Sequence, residues 1–464
     1  MPKKSARWIC QECDAETRGW FGRCPHCSAW NSIREQGPTP QPGHVELGTG
    51  DGQVVSAAAA SIDAEDTPRL ATGVSEFDRV LGGGLVSGSV VLLGGPPGIG
   101  KSTLLLQACA GLARDDHRVL YVSGEESVAQ VAARAGRIGA REPSLLLLAQ
   151  TRLEPILNRA KEHQPAVLVI DSVQTVYSET QDGLPGNVTQ IRAVASKLLS
   201  YAKTNDVPVI MVGHVTKDGQ LAGPRLLEHM VDAVLSFDGD EERATRMLRA
   251  TKNRYGSTHE LGVFEMTSEG MRGISNPSEA FLAERSAEAV GSCVTASLEG
   301  SRPLLLEIQA LLGPSPGGSP RRTCVGVDSS RLAMLLAVLE RHGDLFVLDQ
   351  DVFVNVAGGI RLGEPAADLA VLLAVASSHL RKPLPADTVA MGEVGLTGEL
   401  RRVPRAEVRF AEAQRLGFKR ALAPPLRGGK QVELEGLAVV EVRSVAEAIQ
   451  LALSDASTAL PRST

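Results

Sequence analysis

Apolar positions in the middle of the chain form short runs that alternate with segments of helical periodicity. The runs share a length of five to seven residues and lie at 89–94, 118–123, 144–149, 166–170 and 207–213. Short apolar runs separated by helix-length segments are typical of buried parallel strands. Residues 67–275 are therefore predicted to form a largely parallel sheet with helices on both faces, which is an α/β fold.

A second α/β domain is predicted over residues 276–455. Its pattern indicates a strand, an apolar helix, a group of short strands and an amphipathic helix, at 352–356, 365–381, 388–400 and 405–416. Residues 36–66 are rich in Gly, Pro, Ala, Ser and Asp without periodicity, so they are predicted to form a flexible linker. The linker follows a small module at 1–35, and residues 456–464 form a tail.

The first predicted strand runs directly into a phosphate-binding loop. Residues 95–102 fit the pattern G-x-x-x-x-G-K-[ST] between a strand and a helix. A Gly/Pro turn that happens to end in Lys-Ser is the alternative, and the strand–loop–helix context favours a nucleotide site. We expect Lys101 to reach the β- and γ-phosphates of ATP and Ser102 to hold Mg²⁺. The predicted ATP-binding residues are Gly95, Pro96, Pro97, Gly98, Ile99, Gly100, Lys101, Ser102 and Thr103.

Acidic residues follow two of the other predicted strands. Asp171 ends the run at 166–170 and is predicted to orient Mg²⁺ through water, with a helix-capping role as the alternative. Glu125 follows the run at 118–123, where a carboxylate can deprotonate the attacking water. Its neighbour Glu126 is the second candidate, and either glutamate could instead be a solvated turn residue.

Two cations occupy a predicted hairpin turn at 252–256, Lys-Asn-Arg-Tyr-Gly, between the strand-like runs 244–251 and 260–266. Cations beside a glycine turn are usually solvated. In ring ATPases, however, such a turn can stabilise transition-state charge on a neighbouring subunit's nucleotide. Lys252 and Arg254 are therefore predicted to be catalytic residues that act in trans, or to couple hydrolysis to DNA.

The module at 1–35 carries a predicted zinc site. Four of the seven cysteines form two C-x-x-C pairs, Cys10 with Cys13 and Cys24 with Cys27, and two such pairs complete a tetrahedral Zn²⁺ site. A disulfide framework is the alternative, which a cytoplasmic location argues against. Four thiolates fill the coordination shell, so we expect His26 to lie outside it.

All three tryptophans also fall in this module, at Trp8, Trp20 and Trp30. Aromatic and basic residues together suit stacking on bases and pairing with phosphates. Packing around the metal is an equally open alternative, and contact with a protein partner is a third possibility. The interleaved basic residues are Lys3, Lys4, Arg7, Arg18 and Arg23.

Composition limits the partners and the location. The net charge is −6, from 48 basic and 54 acidic residues, so nucleic-acid binding has to come from local patches. The N-terminus has no apolar run after its charged residues, and no segment is long and apolar enough to span a bilayer. We therefore expect a cytoplasmic protein without a membrane partner.

The series of motifs resembles the bacterial RadA (Sms) family of RecA-like DNA repair and recombination ATPases. The series comprises the four-cysteine finger, Thr-Gly-Val-Ser-Glu-Phe-Asp-Arg-Val-Leu-Gly-Gly-Gly at 72–84, the phosphate loop and Lys-Asn-Arg-Tyr-Gly. Tyr255 stands where the family usually has Phe. The resemblance implies a hexameric ring that binds single-stranded and branched DNA, hydrolyses ATP and drives branch migration, with a RecA-type recombinase as partner.

The same resemblance implies that two loops, at 178–190 and 214–225, line a DNA channel. Both are polar, contain glycine and follow strand ends, where moving parts belong. Lys217 and Arg225 are the candidate phosphate contacts. His214 is a candidate sensor of the γ-phosphate, with a structural role as the alternative.

The C-terminal domain resembles the Lon protease domain at 351–355, 363–370 and 391–400. In that family a Ser–Lys dyad cuts peptides. Here Ala366 stands at the serine position and Glu407 at the lysine position. Because alanine is no nucleophile and glutamate is no cationic base, we expect no peptidase activity.

A basic cluster in the same domain is either a patch for the DNA backbone or a solvated helix face. Its members are Arg401, Arg402, Arg405, Arg409, Arg415, Lys419 and Arg420. Two alternatives to a DNA-dependent motor stay open at this point: an ATP-dependent peptidase and a nucleotide-gated DNA-binding switch.

Overall fold

A computed structural model describes residues 7–10, 15–17, 19–30, 32–36, 68–213, 226–238, 245–258, 260–315, 319–426 and 434–453. The contacts divide the chain into two compact units, Met1–Ser61 and Ile62–Thr464.

The first unit contains a small antiparallel sheet. Its strands, in the spatial order β2-β1-β3, are β1 (Arg7–Cys10), β2 (Glu16–Thr17) and β3 (Ile33–Gln36). Among the residues of this unit that the structure describes, the buried apolar side chains are Cys10, Cys24 and Ile33, and Trp8 packs against them. So small a core buries too little surface for stability by itself, which is consistent with a fold that depends on a metal.

The second unit begins with a nine-stranded sheet and a short ribbon. The ribbon consists of β4 (Arg69–Leu70) and β5 (Leu85–Val86). The strands of the sheet are β6 (Val90–Gly94), β7 (Val119–Ser123), β8 (Leu145–Ala149), β9 (Val167–Asp171), β10 (Val209–Val212), β11 (Ala233–Asp238), β12 (Thr245–Asn253), β13 (Leu261–Thr267) and β14 (Gly270–Gly273). The helices around it are α1 (Ser75–Leu81), α2 (Lys101–Arg114), α3 (Val128–Arg137), α4 (Leu153–His163), α5 (Val188–Asn205) and α6 (Leu226–Met230).

The spatial order of this sheet is β14-β13-β12-β11-β6-β10-β9-β7-β8. Strands β11 to β8 in that order pair in parallel, and β12, β13 and β14 extend the sheet antiparallel. The five predicted apolar runs are β6, β7, β8, β9 and β10, with small shifts at their ends. The prediction of an α/β fold with a largely parallel sheet is confirmed.

Alternation along the strands builds two apolar layers, one on each face of this sheet. Val91 and Leu93 of β6 pack with α1, α2 and α3, whereas Val90 and Leu92 pack with α4, α5 and α6. Successive side chains of a strand point to opposite faces, so an apolar run without polar interruptions is what a doubly covered strand requires. The parallel topology brings the C-terminal ends of β6, β7 and β9 to one edge of the sheet.

The rest of the second unit forms a seven-stranded sheet, with a two-stranded ribbon beside it. The sheet strands, in the order β17-β18-β16-β15-β19-β22-β23, are β15 (Ser292–Glu299), β16 (Arg302–Pro314), β17 (Arg322–Val325), β18 (Gln350–Val356), β19 (Thr388–Ala390), β22 (Arg420–Ala423) and β23 (Ala438–Glu441). The ribbon strands are β20 (Glu393–Val394) and β21 (Leu400–Arg401). The helices are α7 (Pro277–Leu282), α8 (Ser329–Gly343), α9 (Asp368–Leu380), α10 (Ala406–Arg415) and α11 (Val445–Leu453).

The helices of this second sheet lie on both of its faces. Side chains of α8, α9 and α11 form one core, and those of α10 form another with the opposite face. The apolar helix begins at Asp368 rather than at the predicted residue 365, because Pro365–Ala367 forms a separate 3₁₀ turn. In the part of the chain that the structure describes, no helix has both the length and the apolar character that a bilayer span requires.

Candidate nucleotide site and zinc ribbon

The phosphate loop lies between β6 and the first turn of α2. Gly98 and Gly100 have φ angles of 75° and 111°, a region that residues with a Cβ atom rarely adopt. Lys101 is 5% exposed, and its ammonium group donates to the carbonyl oxygens of Gly95 and Pro96, both at 2.8 Å. Burial lowers the pKa of Lys101, and the charges of Asp171 and Glu125 oppose this effect.

A cavity of about 340 Å³ opens beside this loop. It brings together the side chains predicted to act on phosphate, magnesium and water, namely Lys101, Ser102, Glu125 and Asp171, which follow three different strands. The backbone N–H groups at the start of α2 favour an anion here. The lining residues are Pro97, Gly98, Gly100, Lys101, Ser102, Thr103, Ser123, Glu125, Glu126, Arg134 and Asp171.

A second cavity of about 360 Å³, which includes Gln107 and Arg114 of α2, has no carboxylate among its described lining residues. It therefore lacks the acidic groups that hydrolysis of a nucleotide requires.

Ser102 and Asp171 form an oxygen donor set that fits magnesium. A hydroxyl and a carboxylate are hard oxygen ligands, which Mg²⁺ prefers, and both line the same cavity. The hydroxyl group of Tyr121 donates to the Asp171 carboxylate. Burial, and then the charge of Asp171, raise the pKa of Tyr121 well above its ordinary value.

The two candidate bases have different partners. Glu125 accepts a hydrogen bond of 2.6 Å from the hydroxyl group of Ser172, the residue after Asp171. Glu126 is instead paired with Arg134 at 2.6 Å. A carboxylate held by a guanidinium is a poor proton acceptor, so the geometry favours Glu125 as the base that activates water.

Three cysteines converge in the first unit. The sulfur atoms of Cys10, Cys24 and Cys27 all lie within 4.8 Å of one another, and the Cys10–Cys27 separation is 3.6 Å. A hydrogen bond from the backbone N–H of Cys27 lowers the pKa of the Cys24 thiol, which favours the thiolate that zinc needs. Cys13 lies outside the described residues, and His26 is exposed.

Comparison with known protein families gives one match within each unit. Residues 8–35 match the rubredoxin metal binding domain, and residues 62–220 match the AAA domain. Over 457 residues the chain is 48% identical to the DNA repair protein RadA of Bacillus subtilis (strain 168), which covers 98% of this chain and 100% of that protein. The chain belongs to the RadA family of DNA repair proteins.

Other members of the RadA family are similarly close. The chain is 47% identical to the RadA of Escherichia coli (strain K12) over 456 residues, covering 97% of this chain and 98% of that protein. Among solved structures, a KaiC-like protein from Pyrococcus horikoshii OT3 matches with 22% identity and a TM-score of 0.38, over 45% of this chain and 99% of that chain. Membership of the RadA family confirms the predicted ATP hydrolase domain, and the metal binding match supports the predicted zinc.

The turn at 252–256 is a motif of the RadA resemblance. It lies near the N-terminal ends of the parallel strands, whereas the phosphate loop lies at their C-terminal ends. Lys252 pairs with Val234 near the start of β11, whereas the loop follows the end of the parallel strand β6. The structure therefore does not bring Lys252 and Arg254 to the nucleotide cavity of their own chain. Action on a neighbouring subunit stays a prediction for these two residues.

The two cations of this turn also differ from each other. The Lys252 ammonium donates to the carbonyl oxygens of Glu228 and Val231, at 2.7 and 2.6 Å, which stabilises the C-terminal end of α6. The Arg254 side chain is 59% exposed and lies 3.5 Å from Asp232. Of the pair, Arg254 is the side chain that is available to a second molecule.

The first predicted DNA loop is shorter than expected, because residues 188–190 belong to the first turn of α5. The loop is held by Lys197, which donates to Glu154, Ser178 and Thr180, each at 2.8 Å. The second loop, with His214, Lys217 and Arg225, lies outside the described residues.

The tryptophans of the first unit divide into two groups. Trp8 packs against the cysteine cluster, whereas Trp20 and Trp30 are 59% and 72% exposed. The guanidinium of Arg23 lies 5.8 Å from the centroid of the Trp30 ring. Packing around the metal therefore accounts for Trp8 alone, and Trp20 and Trp30 are available to a partner.

The positions of the protease dyad are far from a hydrolytic arrangement. Ala366 is 1% exposed and packs in an apolar cluster that includes Ala406 and Phe410, whereas Glu407 is exposed. Arg409, two residues after Glu407, is a buried charged side chain of this region. Its guanidinium pairs with Glu364 through two contacts of 2.6 Å.

The hypothesis of a DNA-backbone patch is wrong for Arg409, because this side chain is fully buried in its ion pair with Glu364. Arg401 pairs with Glu399, and Arg415 pairs with Glu412. Arg405 lies immediately before α10 and has a left-handed conformation. The cluster therefore presents less positive charge than its sequence indicates.

Proposed function

We propose that this protein is a DNA-dependent motor that couples ATP hydrolysis to branch migration of recombination intermediates. The single observation that supports it most is the convergence of Lys101, Ser102, Glu125 and Asp171 on one cavity of a chain that belongs to a DNA repair family. The motor binds single-stranded and branched DNA and works as a hexameric ring with a RecA-type recombinase. A cytoplasmic location stays a prediction from the sequence.

The nucleotide chemistry follows from the side chains around the cavity. Lys101 exchanges its bonds to the Gly95 and Pro96 carbonyls for phosphate oxygens of ATP. Ser102, together with Asp171 through a water, would hold a magnesium ion, which would supply positive charge to the phosphates. Glu125, oriented by its hydrogen bond from Ser172, accepts the proton of the attacking water.

The ring supplies the remaining cation. Arg254 projects from the edge of the sheet that is opposite its own phosphate loop, so it reaches a γ-phosphate only across a subunit boundary. There it stabilises the charge that develops in the transition state. Lys252 holds the turn against α6 and acts on the position of Arg254.

A series of hydrogen bonds couples ATP hydrolysis to DNA binding. It leads from Glu125 to the loop that starts at Ser178. Glu125 bonds to Ser172, and the hydroxyl group of Thr175 donates to the carbonyl oxygen of Ser172 at 2.8 Å. Three residues further on, Ser178 is fixed by Lys197. DNA that displaces this loop therefore changes the position of the group that orients the base.

The experiment that tests the proposal is steady-state ATP hydrolysis with and without single-stranded DNA, in wild type, Lys101→Ala and Lys161→Ala. Lys161 is an exposed lysine of α4 and serves as the matched control. We expect stimulation by DNA in wild type and control, and a loss of roughly 100-fold or more in Lys101→Ala. A branched substrate labelled on two arms then reports branch migration directly.

Other outcomes would redirect the assignment. Hydrolysis that ignores DNA would contradict a DNA motor. DNA binding that depends on ATP without movement of the branch point would instead fit a nucleotide-gated switch. Cleavage of casein would support a peptidase, which the burial of Ala366 in an apolar cluster disfavours.

A further inference from the structure

Tyr121 is hydrogen-bonded to Asp171, one of the two side chains that the proposed function assigns to magnesium. Its ring is 1% exposed and belongs to the apolar cluster beneath α2. Its hydroxyl group donates to Oδ2 of Asp171. The phenol of a β7 residue therefore holds the carboxylate at the end of β9.

The strand register explains why this residue reaches the site. In the parallel pair of β7 and β9, Tyr121 is opposite Val169, and Ser123 is opposite Asp171. Tyr121 and Asp171 point to the same face of the sheet, with a diagonal offset that an aromatic side chain can span. A shorter hydroxyl side chain at position 121 would end before it reached the carboxylate.

The energetics favour a fixed arrangement. A hydroxyl group in an apolar cluster is costly unless it is hydrogen-bonded, so the Tyr121 hydroxyl is held to Asp171. This bond takes one oxygen of the carboxylate and leaves Oδ1 as the acceptor for a metal-bound water. Lys101, the nearest cation of the loop, donates to backbone carbonyls instead.

We propose that Tyr121 is a positioning residue that orients Asp171 and thereby makes nucleotide binding depend on magnesium. The inference rests on the proposed roles of Ser102 and Asp171. It concerns a hydroxyl group in the middle of an apolar strand, outside the phosphate loop. Removal of the hydroxyl group should weaken the magnesium-dependent part of nucleotide binding and leave the metal-independent part intact.

The test measures binding of a fluorescent ADP analogue to Tyr121→Phe and wild type, once in EDTA and once over a magnesium titration. We expect equal affinities in EDTA. In the variant, the magnesium concentration that gives half of the maximal increase in nucleotide affinity should rise roughly tenfold. This is the scale of effect expected when a group that orients a metal ligand is removed. Tyr201→Phe, which removes a hydroxyl group from a buried tyrosine under the opposite face, should behave as wild type.

Three other results would overturn the inference, and each would have a different meaning. An unchanged magnesium titration in Tyr121→Phe would show that Asp171 is oriented without the phenol. Loss of affinity in EDTA as well would show that Tyr121 only supports the loop. Wild type without any magnesium enhancement would contradict the magnesium roles of Ser102 and Asp171, and with them the inference.

A measurement on the unsubstituted chain covers the case in which the variant fails to fold. The chain has four tyrosines, so ¹⁹F spectra of protein labelled with 3-fluorotyrosine are simple to assign from the other three Tyr→Phe variants. The resonance of Tyr121 should shift when magnesium is added to the ADP-bound protein. A resonance that stays in place would overturn the inference.

Discussion

Glu125 and Glu126 are neighbours in the chain, yet their carboxylates have different partners. Glu125 accepts a hydrogen bond from the hydroxyl group of Ser172 and lies in the nucleotide cavity, where its charge acts on Lys101. Glu126 lies against Arg134, and the two side chains are about equally exposed. At the scale of residues, the partner of a carboxylate therefore separates a base from a structural anion.

Substitution of the two glutamates tests this distinction. Glu125→Gln should lower the rate of ATP hydrolysis roughly 100-fold or more, because the amide cannot accept the proton of water. Nucleotide affinity should stay within a few-fold of wild type, since Glu125 is not assigned to bind phosphate. Glu126→Gln is the matched control and should retain most of the activity. Equal losses in both variants would contradict the assignment of the base.

Sequence reasoning located the phosphate loop because all its groups are consecutive and the motif is local. Asp171 and Glu125 could be predicted from their places after apolar runs, since parallel strands end at one edge. Tyr121 and Arg134 could not, because their contacts depend on the register of β7 with β9 and on the direction of α3. For Tyr121, a hydroxyl group inside an apolar strand was the available signal.

At the scale of elements, the loop between β9 and α5 is held by groups from two helices. Glu154 of α4 and Lys197 of α5 form an ion pair of 2.8 Å, and both bind Ser178. Although burial favours the neutral acid, hydrogen bonds from Lys197 and Ser178 lower the pKa of Glu154 to about 2. The loop is therefore ordered by a carboxylate that stays ionised at neutral pH.

Glu154→Gln should loosen this loop. The amide keeps the size of the side chain but loses the charge, so amide hydrogen exchange at 178–183 should accelerate, consistent with a loss of about 1 kcal/mol for a partly exposed pair. Because the pKa of Glu154 is lowered on folding, the effect should be full above its ordinary value of 4.5 and vanish as the pH falls toward 2. Exchange measured by mass spectrometry at several pH values gives this profile.

The control for this experiment lies on the same helix. Glu162→Gln removes the exposed pair of Arg159 with Glu162 and should leave the loop unchanged. Equal protection of 178–183 in wild type and Glu154→Gln would contradict a role for the ion pair. The sequence predicts a polar loop at 178–190. It does not indicate that Glu154 and Lys197 hold this loop, because they lie 24 and 19 residues from Ser178 along the chain.

At the scale of the second unit, an ion pair joins its two sheets. Glu76 of α1 is 2% exposed and accepts from Arg302, the first residue of β16, at 2.6 Å. Arg302 also donates to the carbonyl oxygen of Ser275 at 2.7 Å, and an apolar cluster of β13 and β16 residues lies alongside. The partners are 226 residues apart, so each domain could be predicted from sequence pattern but this connection could not.

The Glu76–Arg302 pair should link the stability of the two domains. Arg302→Met leaves the buried Glu76 carboxylate with only the more distant and half-exposed Arg79, at 3.6 Å, as its cation, which should cost about 3 kcal/mol of unfolding free energy. The double variant with Glu76→Gln should lose less than the sum of the single variants, because neither charge then stays unpaired. Arg272→Met, from an exposed pair with Glu265, is the control and should cost less than about 1 kcal/mol. Denaturant unfolding of all four variants measures the coupling, and strictly additive losses would contradict an energetic link through Glu76 and Arg302.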